Sequence, residues 1–175
     1  EEIMIPVNEP LIGKEELRYI TDCVKSGWIS SKGKYIKSFE EEFAKFCGVR
    51  YGISTTSGTT ALHLALACLG IKKGDEVIMP TFTMIATAYA VLYLGAKPVF
   101  VDSEDRTWNM DVSKIKEKIT EKTKAIMPVH IYGHPVDMDE ILKIAEKFKL
   151  YVVEDFAEAI GSEYKGKMCG GFGEI

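Results

Sequence analysis

The chain lacks most of the features that announce a specialised class. Its 4 cysteines, Cys23, Cys47, Cys68 and Cys169, are scattered and form no Cys-x-x-Cys pair. A disulfide framework is therefore not expected, and a reduced, cytoplasmic protein is. Positive charge is not in excess: 22 Lys and Arg face 26 Asp and Glu, for a net charge of -4. That balance offers no basic surface to nucleic acid or to an anionic membrane. No apolar run reaches membrane-spanning length; the most apolar stretch, Ile85 to Leu94, is interrupted by Thr87 and ends at Gly95. Internal repeats, low-complexity tracts and clear linkers are absent from the sequence, as is a visible secretory signal.

What remains is an ordinary globular composition, 46% hydrophobic and 27% charged over 175 residues, enough for one domain with a core. Helix-like and strand-like segments alternate. Lys14 to Lys25 is helix-patterned, with Leu17, Ile20 and Val24 on one face. Ser38 to Phe46 is a second helix with Ser38 as its cap and Phe39, Phe43 and Phe46 at helical spacing. Tyr51 to Ser54 reads as a short strand, and Thr59 to Leu69 as a helix apolar nearly all round, hence buried, with His63 as a core histidine. Further strands are expected at Glu76 to Met79, Pro98 to Val101, Ala125 to Val129 and Tyr151 to Glu154. Helices are expected at Ile85 to Leu94, Val112 to Ile119 and Met138 to Phe148, and a tight hairpin at Tyr164 to Lys167. Such alternation implies an α/β fold in three layers, a mostly parallel sheet with helices on both faces. Ligands of such sheets sit at the carboxyl ends of the strands.

Two motifs fall at those ends. Ser57-Gly58-Thr59-Thr60 opens an apolar helix, whose free N–H groups and partial positive charge suit a phosphate, although an ordinary capped helix has the same look. Asp155 follows the apolar run Tyr151-Val152-Val153. A poorly solvated carboxylate there needs a partner, either a cationic ring nitrogen or the next turn, which it would cap. The loop Thr81-Phe82-Thr83-Met84 could cover a flat ring through Phe82 or Met84, or place both in the core. His130 and His134 stand four apart, but Gly133 and Pro135 disrupt a continuous helix, so no metal site is expected; His130 could line the pocket. Asp137, Asp139 and Glu140 complement a helix dipole, and the charged stretch from Lys114 to Lys124 is a solvated face.

With these residues in order, the chain resembles the DegT/StrS nucleotide-sugar aminotransferases, pyridoxal-phosphate enzymes of fold type I. The resemblance runs through Phe39-Glu40-Glu41-Glu42-Phe43, Ser57 to Leu66, Gly74 to Ile78, Pro80 to Thr83, Gly95 to Asp102, Val129 to Gly133, Asp137 to Asp139, Val153 to Asp155 and Gly171 to Gly173. Trp28 to Gly33 and Thr107 to Asp111 look most like the perosamine-synthase branch. It implies that Gly58, Thr59 and Thr60 hold the cofactor phosphate, that Asp155 pairs with the pyridine nitrogen, and that Glu158 lies near the ring hydroxyl. Residue 84 would cover the ring face, and Trp28, Ile29 and Ser30 would lie near the sugar. Met84 stands where the family usually has an aromatic residue, and Glu158 where many members have Gln or His. An ionised Glu158 beside a phenolate would be repulsive, so protonation or an offsetting neighbour is expected.

The resemblance further implies glutamate as amino donor, a role in amino-sugar and polysaccharide biosynthesis, and a homodimer whose active site a second subunit completes. The Schiff-base lysine is expected beyond Ile175, since no lysine present matches its motif. The chain is thus expected to be the N-terminal part of the cofactor-binding large domain, without the small C-terminal domain and inactive alone. A related sugar dehydratase with His in place of that lysine, and a non-catalytic nucleotide-binding α/β protein, are the alternatives.

Overall fold

The computed structural model describes residues 5, 6 and 9–175. Its centre is a parallel four-stranded sheet in the order β2-β1-β3-β4, formed by β1 (Glu76–Pro80), β2 (Lys97–Val101), β3 (Thr123–Ile126) and β4 (Tyr151–Val152). All five residues of β1 are buried, as its central place requires. Alternate strand residues serve two cores. Val77, Met79, Ala125, Met127 and Val153 pack with α3 (Gly58–Cys68) and α4 (Ile85–Tyr93) on one face. Ile78, Ile126 and Val152 pack on the other with α5 (Ile115–Lys118) and α6 (Met138–Phe148). The three-layer expectation is met, and the termini of α6 fall where the sequence placed them.

The chain leaves β1 toward one face, through α4, and leaves β3 toward the other, through α6. This reversal between neighbouring strands opens a crevice at their carboxyl ends. Beyond β3 and β4 the ladder continues irregularly: Asp155 N–H donates to Pro128 C=O at 3.0 Å, and Asp155 C=O accepts from His130 N–H at 3.0 Å. Glu174 N–H donates to Val152 C=O at 2.9 Å, so the last residues lie along the free side of β4. A Cβ at Gly173 would strike the Val152 carbonyl, which is why glycine stands there.

The remaining elements pack outside the sheet. α1 (Lys14–Ser26) buries none of its residues. It is held to α2 (Lys34–Cys47) by the Tyr19–Tyr35 edge contact, with centroids 5.0 Å apart, and by Lys34 Nζ on Asp22 at 2.7 Å. The Phe43 ring of α2 stacks on Phe156, just past Asp155, at 6.1 Å. The hairpin β5 (Glu163–Tyr164) and β6 (Lys167–Met168) turns on Lys165 and Gly166, at φ 52° and 79°, the handedness a two-residue hairpin needs.

Several local expectations are corrected. α2 begins at Lys34 after Gly33, so Ser38 lies inside the helix, where its hydroxyl donates to Glu42 at 2.5 Å instead of capping. Tyr51 to Ser54 joins no sheet among the described residues. Glu40 of α2 captures it: the Glu40 carboxylate accepts from Ser54 N–H and Oγ at 2.8 and 2.9 Å, and Gly52 lies against the Glu40 carbonyl. α3 buries only Leu62, Ala65 and Leu66, and His63 is half-buried against Tyr93, with centroids 5.8 Å apart, because one face of α3 looks away from the sheet.

Candidate functional site

The site is built where the carboxyl ends of β1, β3 and β4 meet. After β1, residues 81–84 lead into α4, whose first turn carries the fully buried Thr87. Thr87 Oγ1 donates to Asp155 Oδ2 at 3.1 Å and lies 2.8 Å from Thr83 Oγ1. Ala157 N–H donates to the other Asp155 oxygen at 3.3 Å. No lysine or arginine among the described residues forms an ion pair with Asp155. Burial pushes its carboxyl above the ordinary value and the nearby Glu158 charge adds to this, while Ala157 N–H, Thr87 and His130 pull it back without cancelling the rise. A poorly solvated carboxylate held by neutral donors is a seat for a cation that the described residues do not supply.

Across the same face, α3 starts with a reciprocal cap. Ser57 Oγ accepts from Thr60 N–H at 3.3 Å, and Thr60 Oγ1 accepts from Ser57 N–H at 3.1 Å. The N–H groups of Gly58 and Thr59 precede the first intrahelical bond, from Ala61 N–H to Ser57 C=O, and point out of the helix end. Nothing lies within 4 Å of where a Cβ on Gly58 would stand. That open space, with free N–H groups and the helix dipole behind it, fits an anionic phosphate. Leu62 of α3 and Val153, two residues before Asp155, share one core cluster, which ties helix and strand to the same face. The residues present thus fit a group with a phosphate at one end and a cationic ring nitrogen at the other.

Glu158 lies exposed on the turn after Asp155, and its Oε2 accepts from Tyr132 N–H at 2.7 Å. Met84 is the N-terminal flank of α4 and 65% exposed, so it stands at the mouth and not in the core. Trp28, Ile29 and Ser30 lie between α1 and α2 and line a separate hollow with Cys23, Lys34 and Tyr35. No hydrogen bond joins them to Asp155 or Glu158 among the described residues.

His130 does not line the pocket. It is fully buried, its Nδ1 accepts from Val136 N–H at 3.0 Å, and its Nε2 lies 3.2 Å from Glu154 Oε2. With both ring nitrogens engaged inside the protein, it has nothing left for a substrate. Glu154 itself was missed by sequence reasoning, hidden beside Asp155. Its carboxylate accepts from Gly170, Phe172 and Gly173 N–H at 2.9, 2.5 and 2.7 Å, clasping the glycine-rich loop. Burial pushes Glu154 up, but His130 and the three N–H groups outweigh it and hold the carboxyl below its ordinary value. Burial, with the Glu154 charge nearby, pushes the Cys169 thiol up to about 11. In the sequence Thr87 shows only as an interruption of an apolar helix, and Asn109 carries no signal of its own.

Residues 10–175 match the DegT/DnrJ/EryC1/StrS aminotransferase family. The chain belongs to that family. Among the family's curated relatives, GDP-perosamine synthase of Escherichia coli O157:H7 is 55% identical over 171 residues, covering 98% of this chain and 47% of the relative. Among solved structures, the aminotransferase from Psychrobacter cryohalolentis superposes with a TM-score of 0.90 at 39% identity, over 94% of this chain and 42% of that one. A GDP-4-keto-6-deoxymannose-3-dehydratase, solved with a trapped PLP-glutamate geminal diamine, gives 0.88 at 34% identity over 96% of this chain and 45% of that one. The chain spans about half the length of the curated relatives it matches. No helix among the described residues is long and apolar enough to cross a membrane.

Proposed function

We propose that residues 1–175 are the N-terminal part of the cofactor-binding large domain of a pyridoxal-phosphate-dependent aminotransferase. It would act on a nucleotide-linked keto sugar with glutamate as donor, in amino-sugar and polysaccharide biosynthesis. The observation that carries this reading is Asp155: a poorly solvated carboxylate with no cation beside it among the described residues, at the end of a parallel strand and on the face that carries the α3 N-terminus. The family, and the cofactor and amino acid seen in the dehydratase structure, support the same reading.

Gly58, Thr59 and Thr60 would hold the phosphate, through the free N–H groups and the Thr59 hydroxyl. Asp155 would keep the ring nitrogen protonated, and Thr87 would orient the Asp155 oxygen that faces it. Met84 would cover one ring face, and Glu158 would lie by the ring hydroxyl, steadied by Tyr132 N–H. When bound, the cofactor supplies the electron sink that lets an amino group pass from donor to ketone. Trp28, Ile29 and Ser30 would meet the sugar where two subunits of a cytoplasmic homodimer join. Incubating the full-length protein with pyridoxal phosphate, glutamate and GDP-4-keto-6-deoxymannose tests the reading. Amino sugar and 2-oxoglutarate in equal amounts are expected; a deoxygenated keto sugar instead would support the dehydratase, which the likeness at 34% identity keeps as the second reading.

A further inference from the structure

The cofactor seat accounts for Thr83, Thr87 and Glu158, but not for three aromatic side chains beside them. Phe82, Trp108 and Tyr132 come from the loops after β1, β2 and β3. The Phe82 ring lies 5.9 Å from Trp108 and 6.0 Å from Tyr132, inclined by 59° and 62°. Two rings therefore stand on a third like walls on a floor. Trp108 and Tyr132 are 62% and 78% exposed, so they fill no core among the described residues.

Their backbones are unusual as well. Trp108 has φ 64° and Tyr132 φ 47°, a left-handed region that bulky residues rarely enter. One buried side chain holds both. Asn109, next to Trp108, accepts from Ile131 N–H at 3.2 Å and donates to His134 C=O at 2.9 Å, fastening the Tyr132 turn from both ends. The Glu104 carboxylate gathers the N–H groups of Arg106 and Thr107 and so shapes the other turn. Strain over-determined in this way, and spent on turning large rings outward, is characteristic of ligand sites.

We propose that Phe82, Trp108 and Tyr132 form one wall of the subsite for the sugar ring of the substrate, with the apolar C–H face of the sugar against the rings and Trp28, Ile29 and Ser30 meeting it from the subunit junction; this rests on the function proposed above. Position argues for the sugar. Tyr132 N–H holds Glu158, and Phe82 precedes Thr83, whose hydroxyl meets the partner of Asp155. A keto sugar must bring its carbonyl to the cofactor, so its ring lies beside these residues. Charge argues against the diphosphate: the Trp108 turn carries Glu104 and Asp105 against the single cation Arg106.

The test uses the full-length holoenzyme, glutamate and GDP-4-keto-6-deoxymannose, with GDP alone as competitor. Trp108→Ala and Tyr132→Ala are expected to raise KM for the keto sugar about tenfold or more, which corresponds to about 1.4 kcal/mol. The inhibition constant of GDP and the visible band of the bound cofactor are expected to stay unchanged. Trp108→Phe keeps a ring, and is expected to lose less affinity than Trp108→Ala. Unchanged KM in both alanine variants overturns the proposal. Equal weakening of GDP overturns it too, because the base would then occupy the box. If the wild-type enzyme aminates no keto sugar, the proposed function fails first and the subsite with it.

Discussion

At the scale of single residues, the site turns on two neighbouring carboxylates with opposite tasks. Successive side chains on an extended strand point to opposite sides, so Asp155 reaches Thr87 while Glu154 reaches His130 and the glycine loop. Their titrations also run in opposite senses. The Asp155 carboxyl is raised by burial, so its contribution to folding is full below the unfolded carboxylate value and is lost as pH rises through the folded one. Ionised Asp155 therefore weakens the cofactor-free protein at neutral pH. Asp155→Asn is expected to raise the melting temperature of the full-length apoprotein at pH 7 while lowering kcat by about 10²–10³-fold. A variant that melts lower and stays active refutes both halves. Glu158→Gln tests the neighbouring assignment: a changed pH profile of the cofactor band is expected, and an unchanged spectrum and profile would remove Glu158 from the ring. Asp155 was legible because it closes the Val153-Glu154-Asp155 motif just past the apolar run Tyr151-Val152-Val153. Thr87 and Asn109 were not, since their importance lies in partners 68 and 22 residues away, which no local pattern reveals.

At the scale of elements, the Glu154 clasp binds β4, the His130 turn and the loop 170–173 into one unit. Its lowered carboxyl gives stability that is present above the unfolded value and lost as pH falls through the folded one. Glu154→Ala would leave His130 and three N–H groups without their acceptor. A loss of about 3–5 kcal/mol in urea unfolding is expected, with a flatter acid limb than the wild type; a loss within 0.5 kcal/mol, the usual range of surface changes, would show that the clasp contributes little. Helix α6 was readable end to end because its apolar residues keep strict helical spacing up to the left-handed Lys149. Tyr51 to Ser54 has the composition of a strand, whereas its conformation is decided by Glu40 on a different element.

At the scale of the molecule, alternating strands and helices made the parallel sheet and its two covered faces legible. The strand order, the reversal between β1 and β3 and the aromatic box were not, because each depends on which loops converge in space. The outer helices also leave much apolar surface open: Leu17, Ile20 and Val24 of α1 are each more than 60% exposed. Exposed patches of this kind drive association. Residues 1–175 prepared alone are expected to self-associate in light scattering and to show no transamination; a monodisperse, active preparation would contradict that.

The most direct measurement is the visible absorption of the full-length protein purified with pyridoxal phosphate, before and after borohydride. A band that disappears on reduction and leaves the cofactor covalently attached is expected for the aminotransferase. Retained cofactor that cannot be trapped would contradict that reading in favour of the dehydratase, and a protein that binds no cofactor would contradict the role given to Asp155 altogether.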